Sequence, residues 1–183
     1  VIAYHGCDSG IAERVLAGAD LKPSDNDYDW LGRGIYFWEY GADRALQFAQ
    51  EQVLRGKVKQ PTYVGALLQL GKCFDLMDTR FTEDLAAAYG PWSATLRQEG
   101  HPLPLNAGHA PDHKLRRLDC AVINWYLANL QADGLEYDTV RCGFTEGAPI
   151  YPGSGVFQES HIQIAVRNPS CILGVFRPKI EKS

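Results

Sequence analysis

Apolar residues fall in two rhythms along this chain. Short runs rich in β-branched and aromatic residues, bounded by Gly, Pro, Asn or Asp, predict strands over residues 1–6 (VIAYHG), 34–38 (GIYFW), 62–70 and 73–77. Three more follow at 138–144, 160–166 and 171–176. Between them lie segments of helical period. Residues 8–18 predict a short helix capped by Asp8 or Ser9 and ended by Gly18. Residues 42–54 place Ala45, Phe48 and Ala49 on one face, with Gly56 as a stop. Residues 82–89 predict a helix capped by Thr82 and broken by the Gly90-Pro91 pair. Residues 115–130 align Leu115, Leu118, Val122 and Trp125, with Gly134 closing the helix. Loops rich in Pro, Ser, Asn and Asp fill 21–30 and 101–113. Strands at both ends with helices between predict one α+β domain over residues 1–183, not regular βαβ winding.

Composition narrows this picture only a little. The chain has 183 residues, 45% hydrophobic and 22% charged, which is ample for one core. A net charge of -4 argues against non-specific grip on nucleic acid. The five cysteines, Cys7, Cys73, Cys120, Cys142 and Cys171, are scattered and never paired in C-x-x-C spacing. That pattern predicts reduced thiols in a cytoplasmic protein, not a zinc site or disulfide framework. No apolar run reaches the length of a membrane span, so no membrane role is expected. His109 and His113 stand four apart, a spacing that suits a metal on a helix, but Pro111 between them argues against one. No metal is expected.

Three places carry candidate chemistry. At 4–6, Tyr4-His5-Gly6 puts a histidine at a strand-to-loop junction beside a residue with no side chain. At 31–39, LGRGIYFWE runs two glycines into four large side chains, a sharp turn feeding an aromatic strand. At 157–166, FQESHIQIAV begins with Glu159, and alternation places Glu159, His161 and Gln163 on one face, opposite Ile162, Ile164 and Val166. A carboxylate leading into a buried strand is costly unless solvated, paired or catalytic.

Taken together and in this order, these stretches resemble the ADP-ribosyltransferase family of the diphtheria-toxin and poly(ADP-ribose) polymerase type, marked by a His-Tyr-Glu triad. The resemblance is carried by YHGCDSGIAERVL, LGRGIYFWEYGADRALQFA and FQESHIQIAV. It implies a split antiparallel sheet with helices on its flanks and an NAD⁺-binding cleft between the sheet halves. His5, Tyr36 and Glu159 would be the catalytic triad. His5 would bond a ribose hydroxyl of the adenosine half, and the Gly6 backbone would hold the nicotinamide carboxamide. Tyr36 would stack on the nicotinamide ring, with Cys7, Gly34, Phe37, Arg44 and Phe48 around the cofactor. Glu159 would accept the ribose 2'-hydroxyl and stabilise positive charge as the bond to nicotinamide breaks.

The match has departures. Arg44 stands where the family's helix carries a serine, and the second aromatic, Phe48, lies one place off the family spacing. Phe157 stands two before Glu159, unlike the Glu-x-Glu turn of arginine-specific toxins. Arg141, Glu146 and Gln163 are acceptor-side candidates in or near the segment before the proposed catalytic strand; for Arg141 and Glu146, a strand salt bridge is the plainer alternative. The resemblance further implies a small stand-alone bacterial enzyme of the toxin, effector or defence kind. Its partners would be NAD⁺, a protein or nucleic-acid acceptor and a neutralising protein. Two other readings stand beside it: a Cys7 thiol hydrolase using His161 or His109 as base, and a non-catalytic nucleotide-binding module.

Overall fold

In the computed structural model, which describes residues 1–108 and 114–179, strand β1 (Ile2–Asp8) runs near the middle of a seven-stranded sheet. Asp8 ends that strand and caps helix α1 (Ser9–Leu16), accepting from Gly10 N at 3.0 Å. The same carboxylate accepts from Lys59 N and Gln60 N, at 2.8 and 3.0 Å, and so ties the strand end to the next crossing. Strand β2 (Ile35–Glu39) leads into α2 (Ala42–Leu54), followed by β3 (Pro61–Leu68) and β4 (Cys73–Asp75). Helices α3 (Thr79–Gln98) and α4 (Arg117–Ala132) pack together and flank a two-stranded ribbon, β5 (Asn106–Ala107) with β6 (Leu115–Arg116). Strands β7 (Thr139–Phe144), β8 (His161–Val166) and β9 (Ile172–Phe176) complete the chain.

The sheet order is β4-β7-β8-β2-β1-β3-β9, antiparallel except for β4 beside β7. This is the mixed α+β architecture that the pattern predicts. Alternation puts Phe37, Ile164 and Val166 with Ala3, Ile35 and Ala66 in one core layer. The opposite face carries Phe74, Val140 and Ala165 against Ile123 and Leu127 of α4, with Tyr36 packed on that layer. Phe37 and Phe74 are fully buried, each worth roughly 1.5–3 kcal/mol of transfer free energy.

Two local predictions fail for identifiable reasons. Helix α3 does not stop at Gly90-Pro91 and is capped by Asp78, not Thr82. Proline removes the donor that would meet Ala87 O, but Ala88, Trp92 and Ser93 are buried and hold the helix through the break. Tertiary packing outweighs the local cost. Helix α4 starts two residues later than the pattern suggests, with Leu115 in β6. Its buried positions are Cys120, Val122, Ile123 and Leu127, so the core face is rotated from the Leu118–Trp125 stripe. Strands β3 and β4, near neighbours in sequence, lie far apart in the sheet.

Candidate active site

The sheet forks between β1 and β2. Strand β1 pairs with β3 along its full length, from Ile2↔Leu67 to Asp8↔Pro61. It pairs with β2 only through Ala3↔Glu39 and Tyr4↔Trp38. From His5 onward the two strands part. His5 Nδ1 lies 2.8 Å from Tyr36 O and bridges the gap where they separate. A carbonyl oxygen can only accept, so Nδ1 carries the proton and Nε2 is left as an acceptor. Burial lowers the His5 pKa and favours this neutral form.

Within the fork lies a cleft of about 320 Å³, within the usual size range of small-molecule sites. His5, Gly6, Cys7, Tyr36, Arg44 and Phe48 line it, so six of the predicted cofactor residues converge there. Gly34 and Phe37 do not. A side chain at Gly34 would crowd Ala165 and the Val166 carbonyl, so that glycine serves the β2–β8 contact. Phe37 is fully buried in the core layer, its ring centroid 5.6 Å from that of His5. Gly6 has a use that the sequence does not show. A Cβ there would fall on the Ala45 carbonyl oxygen, so the missing side chain lets the α2 backbone approach β1.

The glycine-rich turn before β2 is fastened by Tyr36 itself. The phenol donates to Gly32 O at 2.6 Å and accepts from Leu31 N at 2.8 Å. Gly32 takes φ +72°, a conformation that favours glycine, and this curls the turn back over the Tyr36 hydroxyl. Burial raises the Tyr36 pKa well above its ordinary value, so the hydroxyl stays protonated.

Register puts Trp38 opposite Gln163 on β8, and Tyr36 two residues earlier on the same face. Both Trp38 and Gln163 line the cleft and are buried. Phe48 packs on Trp38, ring centroids 4.9 Å apart. Trp38 is a site residue for which the sequence reading had no role. Its signal was present in the alternation with Tyr36.

The charged groups cluster around Arg44. Its Nη2 reaches Glu146 Oε2 at 2.7 Å, and Nη1 lies 3.8 Å from Glu159 Oε2. Lys114 Nζ reaches Glu146 Oε1 at 2.7 Å and Glu51 Oε1 at 3.4 Å. Glu146 is 2% exposed and lines the cleft, with both oxygens in ion pairs. Glu159 is not a lining residue. It stands beside Glu146, its backbone N bonded to Glu146 O at 3.0 Å. Its Oε1 accepts from Gln47 Nε2 at 2.9 Å. His161 Nδ1 donates to Glu159 O at 2.6 Å, and Gln163 Nε2 lies 3.0 Å from His161 Nε2. Burial lowers the His161 pKa and keeps it neutral.

Arg141 is apart from this group. Its side chain bonds Glu39 Oε2 at 2.7 Å and Asp75 Oδ2 at 2.9 Å, and it shares the Phe37 face of the sheet. It is a strand salt bridge, not a cleft residue. Cys7 lines the cleft, but burial pushes its thiol up to about 11, which leaves little thiolate at neutral pH. His109 and His113 lie outside the described residues. Among the described residues no helix is long and apolar enough to cross a membrane.

No protein-family model matches this chain, and no solved structure matches it. A 36-residue stretch is 47% identical to a segment of "Uncharacterized protein MJ0359" of Methanocaldococcus jannaschii. That match covers 20% of this chain and spans 17% of the length of that protein.

Proposed function

We propose that this chain is an NAD⁺-dependent ADP-ribosyltransferase of the His-Tyr-Glu type, with its cofactor seated in the β1–β2 fork. The observation that carries the proposal is the convergence of His5, Gly6 and Tyr36, some thirty residues apart in sequence, on the two walls of one cleft. In this reading the neutral His5 accepts a ribose hydroxyl through Nε2. The Tyr36 ring, fixed by its two hydrogen bonds, offers an aromatic face to the nicotinamide ring, whose positive charge such a face attracts.

In this reading two carboxylates serve the reacting bond, Glu146 from the cleft wall and Glu159 from beside it, and their partners divide the work. Glu146 has both oxygens committed to Arg44 and Lys114, so it anchors those cations. Among the described residues, Glu159 Oε2 meets only the 3.8 Å approach of Arg44, and it retains acceptor capacity for the ribose 2'-hydroxyl. As the nicotinamide bond breaks, a carboxylate held there stabilises the developing positive charge. It also serves as base toward the acceptor, a role commonly worth ~10²–10⁴-fold. The acceptor is a macromolecule, protein before nucleic acid, given the net charge of -4.

The test is label transfer. Wild type, Glu159→Gln and Glu146→Gln are incubated with lysate and NAD⁺ labelled in the adenylate half, then treated with protease or nuclease. Label that needs Glu159 and disappears with protease supports the reading. Label that survives in Glu159→Gln removes that residue from the mechanism. Saturable NAD⁺ binding without label in wild type favours a non-catalytic binding module.

A further inference from the structure

The charges of the cleft wall are unevenly partnered. Five cations line it, Lys22, Arg44, Arg55, Lys57 and Lys114, against four carboxylates, Asp8, Asp29, Glu51 and Glu146. Each of those carboxylates is already engaged. Glu146 holds Arg44 and Lys114, and Glu51 holds Lys114. Asp8 accepts from the backbone N–H groups of Gly10, Lys59 and Gln60, and Asp29 accepts from Asn26 N and Nδ2. Lys22, Arg55 and Lys57 remain, exposed and with no carboxylate at ion-pair distance among the described residues. In a chain of net charge -4 this is a local surplus. Arg55 follows Arg44 by eleven residues along α2, about 16 Å at the helical rise. Gly56 takes φ +70° and turns the chain so that Lys57 N reaches Gln52 O at 3.0 Å. Lys57 Nζ then bonds the Tyr28 hydroxyl at 3.1 Å. A helix C-terminus favours cations, which accounts for Arg55 and Lys57. It does not account for Lys22, which comes from the loop wall that also carries Tyr28.

We propose that Lys22, Arg55 and Lys57 form a subsite for a phosphomonoester on the adenosine ribose, so that the cleft selects the 2'-phosphorylated dinucleotide, NADP⁺, over NAD⁺. The inference rests on the reading of the cleft as a dinucleotide site and names which dinucleotide it takes. In that reading the reacting bond lies at the Arg44–Glu159 end, and His5 takes the adenosine ribose. Helix α2 runs along β1 from there: its Ala45 carbonyl lies over Gly6, and Asp8 bonds Lys59 N and Gln60 N just past Lys57. The basic end therefore lies beyond His5, away from the glutamates. The pyrophosphate joins the two riboses and falls on the reacting side of His5. A phosphate on the adenosine ribose falls on the basic side. A phosphomonoester carries a charge of about -1.5 to -2 near neutral pH, which suits cations contributed by two walls. A nearby arginine serves the same group in other dinucleotide folds.

Calorimetry on the full chain compares NAD⁺ with NADP⁺ for wild type, Lys22→Gln, Arg55→Gln and Lys57→Gln. All three side chains are exposed, so the variants are expected to fold. Wild type is expected to bind NADP⁺ about 10-fold or more tightly than NAD⁺, with the difference shrinking as salt is raised. Each variant is expected to lose about 3- to 10-fold toward NADP⁺ and less than about twofold toward NAD⁺. Wild-type affinities within about twofold of each other overturn the subsite. Equal losses for both dinucleotides also overturn it, because the cations would then meet the pyrophosphate. A single-stranded oligonucleotide that outcompetes NADP⁺ and weakens in the same variants overturns it in favour of a nucleic-acid acceptor. In these three outcomes NAD⁺ still binds, and the reading of the cleft stands. Wild type that binds neither dinucleotide overturns that reading itself.

Discussion

Replacing Tyr36 with Phe separates the two jobs assigned to this side chain. The ring stays, and the hydroxyl goes. That hydroxyl donates to Gly32 O at 2.6 Å and accepts from Leu31 N at 2.8 Å, beside a Leu31 that is 1% exposed. Removing it strands one backbone acceptor and one backbone donor in a dry turn. An orphaned buried group costs about 1–3 kcal/mol, so the pair sums to roughly 2–4 kcal/mol once partial relief by water is allowed. For a chain of this size 1 kcal/mol moves the melting temperature by about 2–4 °C, so the expected drop is roughly 5–15 °C. Typical domain stabilities of about 5–15 kcal/mol leave the variant folded. Scanning calorimetry reads the shift directly. A matched NAD⁺ titration is expected to show the stacking face largely preserved in Tyr36→Phe and lost in Tyr36→Ala. A Tyr36→Phe melting point within roughly 2 °C of wild type would refute the reasoning, since the turn would then not depend on the phenol.

Other outcomes follow from the same geometry. Gly6→Ala places a Cβ on the Ala45 carbonyl oxygen and is expected to cost about 1–3 kcal/mol or more by forcing α2 off β1; an unchanged urea midpoint would contradict the close approach. His5 and His161 both have pKa values lowered by burial, so below about pH 6.5 the unfolded chain binds protons that the folded chain refuses. Stability is therefore full above that pH and falls as pH drops toward the folded values; urea midpoints that are flat between about pH 7 and 5 would count against this. Arg141→Met is expected to lower stability by stranding Glu39 and Asp75 while label transfer continues, and loss of transfer in a folded variant would return Arg141 to the acceptor side. With its thiol near 11, Cys7 is expected to react slowly with iodoacetamide at neutral pH, and rapid inactivation by that reagent would revive the thiol-hydrolase reading.

Local pattern alone determined most elements and one face of the site. Alternation in 160–166 sent Ile164 and Val166 to the core and Gln163 to the cleft, because a strand's side chains must alternate whatever the fold. The same rule separated Tyr36 from Phe37. Asp8 was legible as a cap because its carboxylate acts within its own turn. What depended on distant partners was not legible. Helix α3 runs through Gly90-Pro91 because buried Ala88, Trp92 and Ser93 hold it, and those contacts come from elsewhere in the chain. Gly6 read as room for a ligand, but only the fold shows that α2 fills that space. Arg141 and Glu146 looked alike as acceptor-side charges; the sheet register sent Arg141 to the far face, and the β7–β8 connection buried Glu146 between Arg44 and Lys114. Sequence spacing encodes which way a side chain points from its own backbone. Which side chains meet at the site is set by contacts such as Arg44–Glu146 and Gln47–Glu159, across 102 and 112 residues of chain, and only tertiary packing decides those.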